Sequence, residues 1–210
     1  MRQGHREAMV VADEGKLIER SRQGDLAAFN ALVELYQRQV YNLCLRMLGS
    51  SAAAEDATQE VFVAAYRRID SFRGGSFRAW LLRIAANASY DELRRRRSRP
   101  ASSLEAAQEA GTPIDLPSRA ASPEEEALRR ELNLHLRRGL ATLPPEQRLA
   151  VILRDVHGLS YEELGQALGC SQGTVKSRIA RGRERMRKYL IARRELLPRQ
   201  FRLEGEDSHV

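Results

Sequence analysis

Residues 159–191 constrain the fold most, because they read as a short capped helix, a glycine and a second, basic helix. Ser160 and Glu163 form the S-x-x-E capping box that opens a helix, and Gly169 suits the left-handed position that ends one. Ser171 can cap the next helix. Two helices joined by so short a turn are typical of a helix-turn-helix, whose second helix enters the DNA major groove.

The outward face of the second helix predicts contact with DNA. Val175 and Ile179 have the spacing that buries them against the first helix. The opposite face has small residues at its centre and polar or basic residues at its margins, which can donate to bases or phosphates. These outward residues are Gly173, Thr174, Lys176, Ser177, Ala180, Arg181, Glu184 and Arg187. The interval 171–194 holds nine Lys or Arg and one acidic residue, so a merely solvated basic helix is the weaker interpretation.

The charge of the chain suits a polyanionic partner, with a formal net charge of +7. The interval 67–99 holds ten arginines against three acidic residues, whereas 101–127 holds six acidic residues and one arginine. Cys44 and Cys170 are too few for a disulfide framework, and no run of 18 apolar residues occurs. We therefore expect a soluble, reducing, cytoplasmic setting, with Cys44 in the core.

Helical periodicity with caps and stops divides the chain into two all-helical parts. Capping residues at Asp25 and Ser76 and a stop at Gly49 help to define four predicted helices that can bury one core. The predicted fold class is all-α: two small helical domains joined by a flexible linker, the second carrying the helix-turn-helix. The predicted divisions are a disordered N-terminus at 1–12, a first domain at 13–98, a flexible acidic linker at 99–121, a second domain at 122–191 and a C-terminal tail at 192–210.

The loop before the fourth predicted helix, together with that helix, indicates contact with single-stranded DNA. Aromatic faces stack on unpaired bases, amides read base edges and arginines hold phosphates. The interleaved residues are Phe72, Arg73, Phe77, Arg78, Trp80, Arg83, Asn87 and Tyr90, followed by Arg94–Arg97. Phe77 and Trp80 lie on the apolar stripe and are predicted to pack in the core. Phe72 lies in the loop outside the stripe, where base contact and core packing are both open.

Three segments in this order resemble the extracytoplasmic-function, or group IV, sigma factors of bacterial RNA polymerase. They are DLAAFNALVELYQRQVYNLCLRML, AEDATQEVFVAAYRRIDSFRGGSFRAWLLRIAANASYDELRRRR and LPPEQRLAVILRDVHGLSYEELGQALGCSQGTVKSRIARGRERM. The resemblance implies a transcription initiation factor of the stress-response kind, not an enzyme. Its implied partners are the polymerase core, promoter DNA and an anti-sigma factor, with no cofactor, metal or small-molecule substrate.

The resemblance also implies a role for each surface. The second helix of the helix-turn-helix would read the −35 duplex, with Arg178 on a phosphate, and the residues that match are Thr174, Lys176, Ser177, Arg178 and Arg181. The loop and fourth helix would capture −10 bases and hold phosphates through Phe72, Arg73, Ser76, Arg83, Asn87, Arg94, Arg95, Arg96 and Arg97. The third helix would bind the clamp helices of the largest polymerase subunit through Asp56, Gln59, Glu60 and Phe62. The flap of the polymerase is a further implied contact. The loop FRGGSF is one residue shorter than the family's frequent FRGDSSF form and lacks its acidic residue. The resemblance therefore does not determine which residue of this chain lies at the flipped-base pocket.

Three other classes of function compete with this interpretation. A free-standing repressor or activator with a helical sensing domain would bind specific DNA tightly without polymerase. An adaptor would use its basic helices only as solvated surfaces. An enzyme is disfavoured, because the four histidines are scattered without metal spacing and there is no phosphate loop or nucleophile elbow.

Overall fold

The structure, a computed structural model, describes residues 13–98 and 123–193. Every regular element in these two ranges is helical, which confirms the predicted all-α class. The predicted N-terminus at 1–12, the linker at 99–121 and most of the tail at 192–210 lie outside the described residues. Within the described ranges, no helix has the length and apolar character that a membrane span requires.

Four helices form the first run, and their predicted caps are confirmed. The elements are α1 at 13–22, α2 at Leu26–Leu48, α3 at Ser51–Arg67, a 3₁₀ turn at Ile69–Ser71 and α4 at Phe77–Ser98. The Asp25 carboxylate accepts from the Ala28 N–H at 3.1 Å, and the Ser76 hydroxyl accepts from the Ala79 N–H at 3.1 Å. Gly49 ends α2 in the left-handed region, with φ at 74°.

The second run ends in the helix-turn-helix. Its elements are α5 at Pro123–Ala141, α6 at Pro145–Val151, a π-helical turn at Ile152–Val156, α7 at Tyr161–Leu168 and α8 at Gln172–Ile191. The sequence predicts one helix from Pro144 to Gly158, and the structure differs there. The α-helix gives way to a wider turn in which the His157 N–H donates to the Ile152 carbonyl at 3.1 Å, five residues back. Gly158, with φ at 68°, then ends the segment.

The two runs pack against each other. Helix α2 contacts α3 and α4 of its own run and also α5, α6 and the π turn, and α4 contacts α7. Buried apolar side chains of both runs belong to one core, and its fully buried members include Leu32, Val40, Leu43, Met47, Leu81, Leu149, Ile152, Leu153 and Leu164. Arg148 Nη1 crosses from α6 to donate to the Met47 carbonyl at 2.6 Å. The sequence, which predicts two tethered units, does not predict this packing.

Substituting Gly182 of α8 by alanine tests how closely α6 and α8 approach. A Cβ there would lie 2.6 Å from Val151 Cγ2 and 3.2 Å from the Gln147 carbonyl oxygen, so a stiff side chain or the backbone must shift. We expect Gly182→Ala to lower the free energy of unfolding by about 1–3 kcal/mol in urea denaturation. Gly173→Ala on the same helix is the control, because its Cβ would approach only Ser171 Oγ, at 3.8 Å. Equal effects of the two substitutions would contradict the close approach.

Candidate nucleic-acid interface

Local hydrogen bonds build the turn between α7 and α8. The Ser160 hydroxyl accepts from the Glu163 N–H at 3.1 Å, and the Glu163 carboxylate accepts from the Ser160 N–H at 2.8 Å. Gly169, with φ at 60°, ends α7, and the Ser171 hydroxyl accepts from the Thr174 N–H at 3.3 Å. The predicted capping box, stop and cap are all confirmed. Hydrogen bonds within residues 160–174 therefore fix the turn from which α8 starts.

Helix α8 divides into a buried and an outward face, as its periodicity predicts. Val175 and Ile179 are 0% and 2% exposed in the core. Of the residues predicted to contact the −35 duplex, Thr174, Lys176 and Arg181 are exposed, whereas Ser177 and Arg178 are half-buried. The structure therefore brings all five onto one helix and presents three of them fully to solvent.

Tyr161, which the sequence reasoning missed, positions two cations beside this surface. The Lys176 ammonium lies 5.5 Å from the centroid of the Tyr161 ring, and the Arg154 guanidinium lies 4.8 Å from the same centroid. Arg154 Nη1 also donates to the Leu159 carbonyl at 2.7 Å. The available signal was an aromatic residue at the first position of α7, but its contact with Lys176 is tertiary. These contacts hold Lys176 at the margin of α8.

A bidentate ion pair joins the π turn to α8. Arg183 Nε and Nη2 donate to the two Asp155 carboxylate oxygens at 3.0 and 2.5 Å. Both side chains are partly exposed, so the pair orients the two elements more than it stabilises them.

Phe72 packs in the core. Of the two alternatives that the sequence leaves open, base contact and core packing, this structure has the second. Phe72 is 6% exposed, and its ring centroid lies 5.4 Å from that of Phe77 and 5.7 Å from that of Trp80. The 3₁₀ turn at Ile69–Ser71 directs the ring inward, which the helical periodicity does not encode. Four further residues that are predicted to capture −10 bases are exposed. They are Arg73, Ser76, Arg83 and Asn87.

The arginine run at the end of α4 is partly engaged within the protein. Arg94 is 80% exposed and pairs with Asp91 at 3.0 Å, and Arg95 pairs with Glu60 at 3.3 Å. Arg96 differs, because its Nη1 donates to the Leu48 carbonyl at the end of α2, at 3.2 Å. Exposed pairs of this kind contribute little to stability, so Arg94 and Arg95 can exchange their carboxylates for phosphates.

The residues predicted to bind polymerase lie on α3. Asp56, Gln59 and Glu60 are exposed at spacings of three and four and so share one face. Phe62 is half-buried and packs against the core. Val63, which the sequence reasoning missed, is 51% exposed and lies seven residues after Asp56 on the same face.

Helix α7 lies opposite the predicted −10 loop. A cavity of about 150 Å³ lies between them and is lined by both. Its polar lining residues are Arg73, Ser76 and Arg83 from the first run and Glu163 and Gln166 from α7. The backbone hydrogen bond from Ser160, assisted by Ser76 and Arg78, lowers the pKa of Glu163. The predicted −10 surface is therefore partly covered by the helix-turn-helix.

Arg78 of α4 contributes a polar contact across the same junction. Its Nε donates to Gln39 Oε1 at 2.6 Å, and its Nη2 donates to the carbonyl oxygen of His157. His157 is buried, and its Nε2 has no hydrogen-bond partner among the described residues. Burial, with the nearby guanidinium groups of Arg78 and Arg46, lowers the pKa of His157 to about 4.

Neither cysteine forms a disulfide in the structure. Cys44 is buried, as predicted, and burial raises the pKa of its thiol to about 11. Cys170 is half-buried, with its Sγ 3.7 Å from Arg178 Nη1. Across 13–98 and 123–193, no group of three or more His, Cys, Asp or Glu is placed to hold a metal ion.

The chain matches two family models, one in each run of helices. Sigma-70 region 2 matches residues 32–99, which include the loop and α4. Sigma-70, region 4 matches residues 134–186, which include α7 and most of α8.

Named relatives agree with these matches. The chain is 42% identical over 171 residues to the ECF RNA polymerase sigma factor SigE of Mycolicibacterium smegmatis, covering 80% of this chain and 64% of that relative. It is 42% identical over 174 residues to the ECF RNA polymerase sigma-E factor of Escherichia coli (strain K12), covering 80% and 89% of the two chains. Among solved structures, the sigma factor RpoE from Bartonella quintana, in complex with the anti-sigma factor NepR, is similar with a TM-score of 0.59 and 26% identity, covering 77% of this chain and 96% of that chain.

The buried His157 predicts a loss of stability in acid. Because its pKa is lowered in the folded protein, the unfolded chain binds more protons between the two pKa values, and stability falls as pH decreases below about 6.5. We expect the free energy of unfolding to fall by about 2 kcal/mol between pH 6.5 and pH 5 from this residue alone. Urea denaturation of the wild type and of His157→Gln at several pH values measures the difference. A pH slope identical in both proteins would show that another group is responsible.

Proposed function

The chain belongs to the extracytoplasmic-function sigma factors of RNA polymerase, and we propose that it reads the −35 duplex with α8 and traps unpaired −10 bases with the loop before α4. A sigma factor directs promoter-dependent transcription and is an initiation factor, not an enzyme. The proposal is carried by one observation: a capped helix-turn-helix and an arginine-rich loop and helix occur in one chain, each within the matching family segment.

Direct readout at −35 would use the outward face of α8. Arg181 can donate two parallel hydrogen bonds to a guanine, and Thr174 and Ser177 can pair with either member of a base pair. Lys176, held at the margin by Tyr161, would contact a phosphate, as would the half-buried Arg178. This division assigns sequence discrimination to Thr174, Ser177 and Arg181, and affinity to Lys176 and Arg178.

Capture at −10 would use Arg73, Ser76, Arg83 and Asn87, with the arginine run on the phosphates. Unstacking a base costs a few kcal/mol per step, which binding of the open strands must offset. Phe72 would support the loop from the core in this conformation, because its ring is packed on Phe77 and Trp80. Stacking of a base on Phe72 would require the ring to leave that packing.

Attachment to the polymerase core would use the α3 face. Asp56, Gln59 and Glu60 supply polar groups, and the half-buried Phe62 with the exposed Val63 supplies apolar surface for the clamp helices. The helix-turn-helix domain would contact the flap, and the acidic linker at 99–121, outside the described residues, would join the two sites. We propose domain limits of 13–98 and 122–191 on this basis. Control by an anti-sigma factor is supported by the likeness to the complex of RpoE with NepR.

Promoter binding would require the two runs to separate at their junction. Arg83 and Ser76 line a cavity whose opposite side is Glu163 and Gln166 of α7, so α7 would obstruct open strands that approach the loop. The compact arrangement would then be the unbound form, and the polymerase-bound form an extended one.

Removing Arg181 tests the assignment of −35 readout. In run-off transcription with core polymerase and a promoter library randomised at −35, the wild-type chain should be required for initiation, and Arg181→Ala should lose roughly 1–3 kcal/mol of discrimination at one position. Arg187→Ala, which removes the same charge from the same helix, should weaken all sequences about equally. If Arg181→Ala also weakens all sequences equally, Arg181 contacts a phosphate; if the wild-type chain never supports initiation, the proposed function is wrong.

Removing Arg78 tests the opening of the junction. Arg78→Ala loses its hydrogen bonds to Gln39 and to the His157 carbonyl, each of the charge-assisted kind worth about 1.5–3 kcal/mol. We expect a larger radius of gyration by small-angle scattering, because the contact from Arg78 to the π turn is lost. Arg78→Lys, which keeps one donor, should fall between. Unchanged scattering would contradict a closed unbound form.

A further inference from the structure

We propose that Arg22 of α1 is a positioning residue for the −10 loop, and that α1 forms the second wall of a cleft that receives one unstacked base. Arg22 lies ten residues before the segment that matches Sigma-70 region 2. The inference rests on the proposed function, because it concerns the same loop. It assigns base selection partly to a helix that the family match does not include.

Arg22 fixes the point at which the loop begins. Its Nη2 donates to the backbone carbonyl of Phe72, fifty residues away in the chain, and its guanidinium carbon lies 6.0 Å from the centroid of the Phe72 ring. The other end of the loop is fixed by Ser76, whose hydroxyl caps α4. The loop between these anchors therefore has both ends set by side-chain hydrogen bonds.

The centre of the loop is Gly74 and Gly75, so it exposes backbone groups and has no side chains there. Gly74 and Gly75 have φ of 95° and 85°, and a Cβ at either position would meet no atom within 4 Å. Such a segment has high conformational freedom when it is not anchored. Its orientation therefore depends on the contacts at its two ends, of which Arg22 supplies one.

A cleft of about 760 Å³ separates this loop from α1. Its lining residues are Glu14, Gly15, Ile18, Glu19 and Arg22 from α1 and Asp70, Phe72, Arg73, Gly74 and Gly75 from the loop region. Three carboxylates against two guanidinium groups disfavour a phosphate inside the cleft and leave an uncharged base as the better occupant. Glu14 also accepts from the Tyr36 hydroxyl at 2.5 Å, which ties α1 to α2 and holds this wall in place.

The pairing of Arg22 with Glu19 is weak, because the distance from Nη1 to the carboxylate is long, at 3.4 Å. The guanidinium can therefore hold the Phe72 carbonyl through Nη2 while Nη1 remains as a second donor at the cleft. Loss of the group should loosen the loop and so reduce discrimination among bases at one position.

Transcription from a promoter library randomised at −10, and separately at −35, tests this role with full-length chain and core polymerase. We expect Arg22→Ala to reduce selectivity at one −10 position about tenfold, with −35 selectivity and affinity for core polymerase unchanged. Arg22→Lys should restore part of the selectivity, because a lysine can still donate to the carbonyl. Lys16→Ala, which removes an exposed charge from α1, is the matched control and should leave −10 selectivity as in the wild type.

A second variant guards against misfolding of Arg22→Ala. Gly15 lines the cleft, and a Cβ there would meet no atom within 4 Å, so Gly15→Leu should fold, fill part of the cleft and reduce −10 selectivity while the Arg22 bond stays intact. Equal loss of −10 and −35 selectivity, or the same loss with Lys16→Ala, would overturn the role of Arg22. If both Arg22→Ala and Gly15→Leu keep the −10 selectivity of the wild type, the role of Arg22 is also overturned. The proposed function would still stand. A wild-type chain without −10 selectivity would instead refute the proposed function.

Discussion

Helix α2 buries apolar side chains against both runs of helices, and the rest of the structure depends on this. Val40, Leu43 and Met47 are fully buried, and α2 contacts α3 and α4 as well as α5 and α6. Burial of each such side chain contributes about 1.5–3 kcal/mol, so a chain that exposed one side of α2 to water would lose several such contributions. The last carbonyls of α2 also accept hydrogen bonds from both runs. Arg96 of α4 donates to the Leu48 carbonyl, and Arg148 of α6 donates to the Met47 carbonyl. The end of one helix thus joins both halves of the molecule.

This constraint helps to explain where the proposed DNA-binding surfaces lie. The broad faces of α2 and α4 are used for packing, and exposed polar groups remain on the outward line of α8, in the loop before α4 and in the arginine run at the end of α4. Aromatic residues that a sequence suggests for base stacking are drawn into the core, as Phe72 is, because a buried ring stabilises the fold more than an exposed one. The exposed groups in the loop and on the outward face of α4 include guanidinium, hydroxyl, amide and backbone groups. Such groups can form hydrogen bonds to phosphates and base edges.

Local signals in the sequence predicted the local structure well. The capping box at Ser160, the stop at Gly169 and the caps at Asp25 and Ser76 each act within four residues, so their geometry is contained in the sequence around them. The inward turn of Phe72, the approach of α7 to the loop and the bond from Arg22 to the Phe72 carbonyl join distant segments. Periodicity states which face of a helix is apolar but not which neighbour covers it, and so these tertiary contacts could not be predicted.

If the loop binds DNA as proposed, the packing of α7 over it makes intramolecular contact and DNA binding competitors. A protein whose binding-competent form is only a fraction of the population has an apparent dissociation constant raised by that fraction. Arg78 contributes to this competition, because its hydrogen bond to the His157 carbonyl joins the two runs and is lost when they separate. A partner that binds the separated halves at two distant points would shift the population by its differential affinity and uncover the proposed −10 loop. Promoter recognition by the free chain would then be weak for a physical reason: the packing that joins the two runs also places α7 over the loop proposed to bind the open strands.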